Sequence, residues 1–371
     1  MTGIQMTLVE QMLFALLKAA LCEKAVSDVC WKSCKDEDWQ QCYKLAAAHG
    51  VMALAWDGIM LCGDECALPR ALKLTWGLAV QKYEEKYERY CHTAAELQEY
   101  YAEHAIAMVQ MKGVGLSTYY PIPAHREGGD IDIYTWSADR TVRSDREANR
   151  LADELMMNQG IEVELHSVKH SNFYYKGIPI ENHKNFLNVE MYPVAVSMNE
   201  LLHSLLEPQQ VELCHGKYRI NVPPAAFNAL FLSFHAAQHF SNGIRLHHLF
   251  DWACLLKRYG WCLPKEVTDD RLLDFICALT HLCNRLLGTD VPVKGGEQMV
   301  NVVYEQLMHP VYPPNAGVPV KGVFAILHYK TKRLLHTYRL QAQVFEHSLS
   351  SRLWQSVVAH IRRPETILKR T

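Results

Sequence analysis

From Ile106 to Tyr192 the sequence changes its period, and this switch limits what the chain can fold into. The hundred residues before it repeat their apolar positions at helical spacing. Within the block, "IAMVQM", "DIDIYTW" and "IEVELHSVKHSNFYYKGIPIENHKNFLNVEMY" are rich in β-branched and aromatic residues that alternate with polar ones, the pattern of strands. Between them, Ser137 is expected to cap a helix over Ala138 to Met157 that stops at Gly160. The order helix, strand, helix, strand, strand implies an α+β fold with a mixed sheet.

Helical texture flanks the block on both sides. "DEDWQQCYKLAAAHG" opens with acids suited to a helix N-terminus and breaks at Gly50, and a second helix follows from Val51. "LPRALKLTWGLAVQKYEEKYERYCHTAAELQEYYAEH" reads as one long amphipathic helix. After residue 196 the chain turns helical again through "PPAAFNALFLSFHAAQHF" and "IRLHHLFDWACLLKRYG", and a Pro-rich loop runs from Met308 to Val320. The expected organisation is a helical region over 1–104, an α/β core over 105–196 and a helical region over 197–371.

Several function classes lose ground on composition. The net charge is −2 over 371 residues, so a long nucleic acid is not favoured as partner. Beyond Lys321 the chain carries about ten Lys or Arg against Glu346 and Glu365, read as a solvated helix surface. The first twenty residues lack a basic leader, and Glu10 and Lys18 interrupt their apolar run, so they read as an amphipathic helix. With no run long enough to span a bilayer, the expectation is a cytoplasmic protein without a membrane partner. The 12 cysteines are scattered. Cys30/Cys34 and Cys62/Cys66 have a CxxxC spacing but no matching histidines, so buried thiols are expected rather than a metal.

The chemistry concentrates in "REGGDIDIY", residues 126–134. On a strand, Asp130 and Asp132 point to one side while Ile131 and Ile133 point to the other. Two carboxylates this close repel unless a cation sits between them, and Mg²⁺ or Mn²⁺ fits such hard oxygen ligands. Upstream, Gly113 and Gly115 allow close approach of a phosphate chain, Lys112 adds a point charge, and Arg126 can fork onto a phosphate. Transfer of a nucleotidyl group also calls for a third carboxylate, with Glu164, Glu181 and Glu190 as candidates.

These residues resemble a known family. "MKGVGLSTYYPIPAHREGGDIDIY" is similar to the signature of the uncharacterised nucleotidyltransferase family 5, within the polymerase-beta-like superfamily. "WQQCYKLAAAHGVMALAW" resembles its N-terminal helical pair, and "LFLSFHAAQHF…IRLHHLFDWACLL" its C-terminal helical signature, with His235, His239 and Asp251 at matching places. "GIPIENHKNF" is similar to its later strand and singles out Glu181 as third carboxylate, with His183 beside it at the nucleotide. The resemblance implies a nucleotidyltransferase-type mixed sheet flanked by helices, a nucleoside triphosphate (NTP) with Mg²⁺, and an unassigned hydroxyl acceptor: small molecule, glycan, protein or RNA. One departure concerns the phosphate turn. The superfamily's usual Gly-Ser is here Lys112-Gly113 followed by Val114-Gly115, which leaves the part of Ser117 open.

Two other readings remain. One is a catalytically inactive nucleotide-binding or interaction module. The other is a His-Asp metal-dependent phosphohydrolase built on His235, His239, His247, His248 and Asp251. The i, i+4 spacing of His235 and His239 suits a metal, but "HAAQH" lacks the Glu of a zinc protease motif. The favoured expectation is that these histidines pack between helices, bond Asp251 or line the cleft, without a metal of their own. His166 and His170 are expected at a polar surface.

Overall fold

A computed structural model of the chain describes residues 4–139, 144–165, 167, 169–313 and 322–346. Helices α1 (Leu8–Cys22), α2 (Asp36–Ala48), α3 (Met52–Cys62) and α4 (Arg70–Glu103) come first. The core follows as β1 (Ile106–Gln110), the short α5 (Val114–Ser117), β2 (Ile131–Ser137), α6 (Asp145–Asn158), β3 (Val163–Glu164), β4 (His170–Tyr175) and β5 (Ile178–His183). Then come α7 (Pro193–Leu205), the hairpin β6 (Gln209–Leu213) and β7 (Tyr218–Val222), and helices α8 (Ala225–His239), α9 (Leu246–Tyr259), α10 (Asp270–Leu282), α11 (Val300–Met308) and α12 (Val323–Gln341). The fold is α+β, with a five-stranded mixed sheet in the order β1-β2-β5-β4-β3. Among the described strands only the β2–β5 pair is parallel. No described helix is long and apolar enough to cross a membrane.

Two apolar cores form, and α4 joins them. The larger core gathers Leu13, Trp39 and Trp76 from the first helices together with Phe231, Phe250 and Phe275 from the later ones, so both helical regions share one interior. The smaller lies under the sheet, where Ile131, Ile133 and Ile180 meet Ala94, Leu97 and Tyr101 of α4. At about 1.5 Å per residue α4 is roughly 50 Å long, enough to serve both. Its first half contributes Trp76, whose Nε1 donates to the Met52 carbonyl at 2.9 Å.

The structure departs from the sequence reading in four places. Helix α6 is capped by Ser144, whose Oγ accepts the Glu147 N–H at 3.2 Å. Ser137, expected as that cap, ends β2 instead and donates to the Asp139 carbonyl at 2.7 Å. Helix α1 is not amphipathic but apolar on nearly every side, with Met12 to Leu17 all buried, as befits a central helix. Its neighbour α3 approaches so closely that a Cβ on Gly58 would lie 2.2 Å from the Leu16 carbonyl oxygen. The region after residue 196 also contains the β6–β7 hairpin, which alternation over so short a stretch did not announce. The expected boundary at 196 falls inside α7. The end of the Pro-rich loop, His166 and most of the basic segment beyond Lys321 lie outside the described residues.

Candidate active site

Strand β2 places the aspartates. Asp130 stands one residue before the strand and Asp132 is its second residue. Ile131 and Ile133 are fully buried in the sheet's apolar core, which drives the carboxylates to the opposite face. The parallel register sets Asp132 beside Glu181 of β5. His183, two residues further along β5, points to the same face. One side-chain ligand atom from each of Asp132, Glu181 and His183 lies within 4.8 Å of the others. Of the three carboxylates open in the sequence, Glu181 is therefore the one the fold brings to the aspartates. Glu164 and Glu190 are exposed.

The charges at this cluster are strongly coupled. Lys112 Nζ is 2.8 Å from Asp132 Oδ1, and His183 Nε2 is 3.0 Å from the same oxygen. His183 Nε2 is also 3.4 Å from Glu181 Oε2, while its Nδ1 faces the Asn185 carbonyl at 3.2 Å. Burial opposes ionisation of Asp132, but Lys112 and His183 outweigh it and hold the carboxyl well below the usual range. Asp130 has no such direct bond among the described residues, and burial together with Asp132 outweighs the pull of Lys112 and His183 and pushes it up to about 6. Glu181 is half-buried, yet the His183 hydrogen bond brings it below its ordinary value.

At Asp132 one buried atom is left over: Oδ2 has no hydrogen-bond donor among the described residues. An anionic oxygen sealed from water without a donor, flanked by a second and third carboxylate, is the donor set a hard divalent cation takes. The residues present therefore fit Mg²⁺ or Mn²⁺.

The loop before β2 is tied down at four points. His125 Nδ1 meets Asp57 of α3 at 2.7 Å, and its Nε2 meets Glu84 of α4 at 3.1 Å. Lys86 and Tyr90 of α4 donate to the carbonyls of Gly128 and Gly129 at 2.5 and 3.1 Å. Arg126 forks onto Asp251 of α9, with Nε to Oδ1 at 2.9 Å and an η-nitrogen to Oδ2 at 2.8 Å. Its other η-nitrogen donates to the Gly113 carbonyl at 3.2 Å. Arg126 is thus engaged by the protein, joining the turn at Gly113 to α9, where the sequence reading had it on a phosphate. Asp251 also accepts from Tyr120 Oη at 2.6 Å, so both its oxygens are occupied and no described histidine bonds it.

The glycine turn has two separate demands. Gly113 sits at φ +62°, beside the Asp130 carbonyl. Gly115 is a packing glycine instead, because a Cβ there would meet the Gln110 carbonyl oxygen at 2.9 Å and Val222 at 3.1 Å. Ser117 is buried, donates to the Val114 carbonyl at 2.6 Å and meets Tyr87 Oη at 3.0 Å, so its hydroxyl serves the local fold.

A cleft of about 410 Å³ opens between this cluster and the later helices, lined by Lys112, Gly113 and Asp130 on one side and His235, His239, Arg245 and His248 on the other. His235, His239 and His248 converge, with nitrogens within 4.8 Å of one another. Two residues escaped the sequence reading. Lys169 lies within electrostatic reach of Lys112, Asp132, Glu181 and Asp130. His170, expected at a polar surface, has its Nε2 3.6 Å from Glu181 Oε2. Both follow from the β4–β5 register, which pairs His170 with His183 and is invisible in a single strand's sequence.

No curated protein and no solved structure matches the chain. A family model does, described as "Uncharacterised nucleotidyltransferase" and matching residues 35–288, a span that holds the aspartates, Glu181 and the histidine helices. On that match the chain belongs to this uncharacterised nucleotidyltransferase family.

Proposed function

We propose that the protein transfers a nucleoside monophosphate from an NTP to an acceptor hydroxyl, with Mg²⁺ or Mn²⁺ held by Asp130, Asp132 and Glu181. The observation that carries this reading is the register of Asp132 against Glu181 on parallel strands beside the Lys112-Gly113 turn. When bound, the cation supplies neutralisation of phosphate charge and polarises the phosphoryl oxygens.

The chain's own groups do the rest. Lys112 holds Asp132 in the absence of other cations and can turn its ammonium toward the triphosphate when that carboxylate is otherwise neutralised. Gly113, with no side chain, leaves the turn open to a phosphate. Glu181 accepts the proton of the acceptor hydroxyl, whose oxygen bonds the α-phosphorus as the bond to the bridging oxygen breaks and pyrophosphate leaves. His183 orients both carboxylates through its Nε2. Rate enhancement then comes from positioning and fixed charge. The acceptor class stays open among small molecule, glycan, protein and RNA.

The test is an acceptor screen with NTP labelled at the α-phosphate, scored by label transfer together with pyrophosphate release. Transfer lost in Asp132→Asn and Glu181→Gln is the expected result. Transfer that persists in both folded variants overturns the reading.

A further inference from the structure

The far wall of the cleft is built from nitrogen. Arg245, just before α9, lines it, and its guanidinium makes no ion pair or hydrogen bond with any described residue. The ring nitrogens of His235 and His239 are likewise without hydrogen bonds to described residues. Lys169 stands across from them, close enough for its charge to act on both rings, and though Asp130, Asp132 and Glu181 lie within its electrostatic reach, it forms no direct ion pair among the described residues. Arg245 is half-buried with no carboxylate bonded to it among the described residues, a place an incoming anion can fill. Of the acids nearest this wall, Asp251 is engaged by Arg126 and Tyr120, and Glu127, which lines the same cleft, acts on Arg245 through its charge without bonding it.

The converging histidines invite a metal instead, and two observations oppose it. His248 Nδ1 accepts the Arg245 N–H at 3.0 Å, which leaves the proton on its Nε2 and removes a free lone pair from the trio. Lys112 and Lys169 both act on His235 and His239, so a second dication would enter a field of like charge. The same field, with imidazole N–H groups and a guanidinium fork, suits a phosphate.

We propose that Arg245, His235 and His239 form a phosphoryl-binding wall facing the carboxylate cluster across the cleft, with Lys169 adding its charge from the opposite side. It rests on the nucleotidyl-transfer reading only for whose phosphate it takes: the β,γ-phosphates of the NTP or a phosphate carried by the acceptor.

Inorganic pyrophosphate titrated calorimetrically into the full-length protein, in chelator and without divalent metal, tests the wall apart from the carboxylates. Wild type is expected to bind it, and Asp130→Asn, which removes a carboxylate from the cleft, to bind it at least as tightly. Arg245→Ala and Lys169→Met are each expected to weaken it tenfold or more while keeping the wild-type unfolding temperature, and Arg245→Lys to recover part of the loss. Repeating the titration with Ca²⁺–ATP separates the sources. A parallel loss of ATP affinity assigns the wall to the nucleotide, and unchanged ATP affinity assigns it to the acceptor. The proposal is overturned if wild type fails to bind pyrophosphate at millimolar concentration, if the two variants bind it as wild type does, or if the histidine trio takes up stoichiometric Zn²⁺. Failure of transfer with intact pyrophosphate binding would count against the nucleotidyl-transfer reading and not against the wall.

Discussion

Replacing Asp130 by Asn should stabilise the metal-free protein. In the folded chain burial and the neighbouring Asp132 push the Asp130 carboxyl from an ordinary value of 3.8 to about 6. A rise of that size costs up to about 3 kcal/mol of folding stability at neutral pH, at roughly 1.4 kcal/mol per pH unit. Residual contact with water reduces the expected gain to about 1–3 kcal/mol, a few degrees in unfolding temperature. The pH dependence fixes the sign. Below pH 3.8 the carboxyl is protonated in folded and unfolded chains alike, so wild type and Asp130→Asn should unfold together. As pH rises from there through about 6, the unfolded chain ionises freely and the folded one resists, so wild type falls behind. Above that window the gap stays constant. Urea unfolding in chelator at pH 3.5, 5 and 7.5 measures this directly. Mg²⁺ with NTP should then close or reverse the gap, because ligand at a hundredfold excess over its Kd adds about 2.7 kcal/mol to a chain that binds it. A variant less stable than wild type in chelator at pH 7.5, or a gap that persists unchanged at pH 3.5, would refute the reasoning.

Three further outcomes are expected. Asp251→Ala strands the buried Arg126 and should cost about 3–5 kcal/mol in thermal unfolding, and Arg126→Met with Asp251→Leu should recover part of it. Gly58→Ala drives a Cβ into the Leu16 backbone and should cost about 3 kcal/mol or more, or yield insoluble protein, whereas Gly128→Ala, with open space around it and no positive φ, should be tolerated. Elemental analysis of purified protein should find no stoichiometric transition metal, since His248 Nδ1 is committed to the Arg245 N–H.

The sequence was most informative where one strand's own period decides the outcome. The alternation of "DIDIY" separated two carboxylates from two isoleucines before any fold was known, and β2 keeps that division. The long helix from residue 70 was equally legible from its apolar spacing. The choice among Glu164, Glu181 and Glu190 needed either a family resemblance or the β2–β5 register, because a parallel neighbour has no local signature. Lys169 and His170 stayed hidden for the same reason, being brought to the site by cross-strand pairing. Arg126 shows the opposite limit. Its place near a phosphate-type turn was visible, but the competing carboxylate comes from Asp251, 125 residues further along the chain. The cap of α6 was misplaced because Ser137 and Ser144 both suit an N-cap, and the local pattern did not say how far β2 would extend.

The central claim is that Asp130, Asp132 and Glu181 hold the catalytic cation with its nucleotide. A crystal grown with Mn²⁺ and a non-hydrolysable NTP, with the ion located by its anomalous scattering, tests this most directly. The expected result is Mn²⁺ about 2.2 Å from Asp132 Oδ2, with Asp130 or Glu181 as a further ligand and a phosphate oxygen completing the shell. Manganese bound at His235, His239 and His248 with none at the carboxylates, or nucleotide bound away from the cleft, would contradict it.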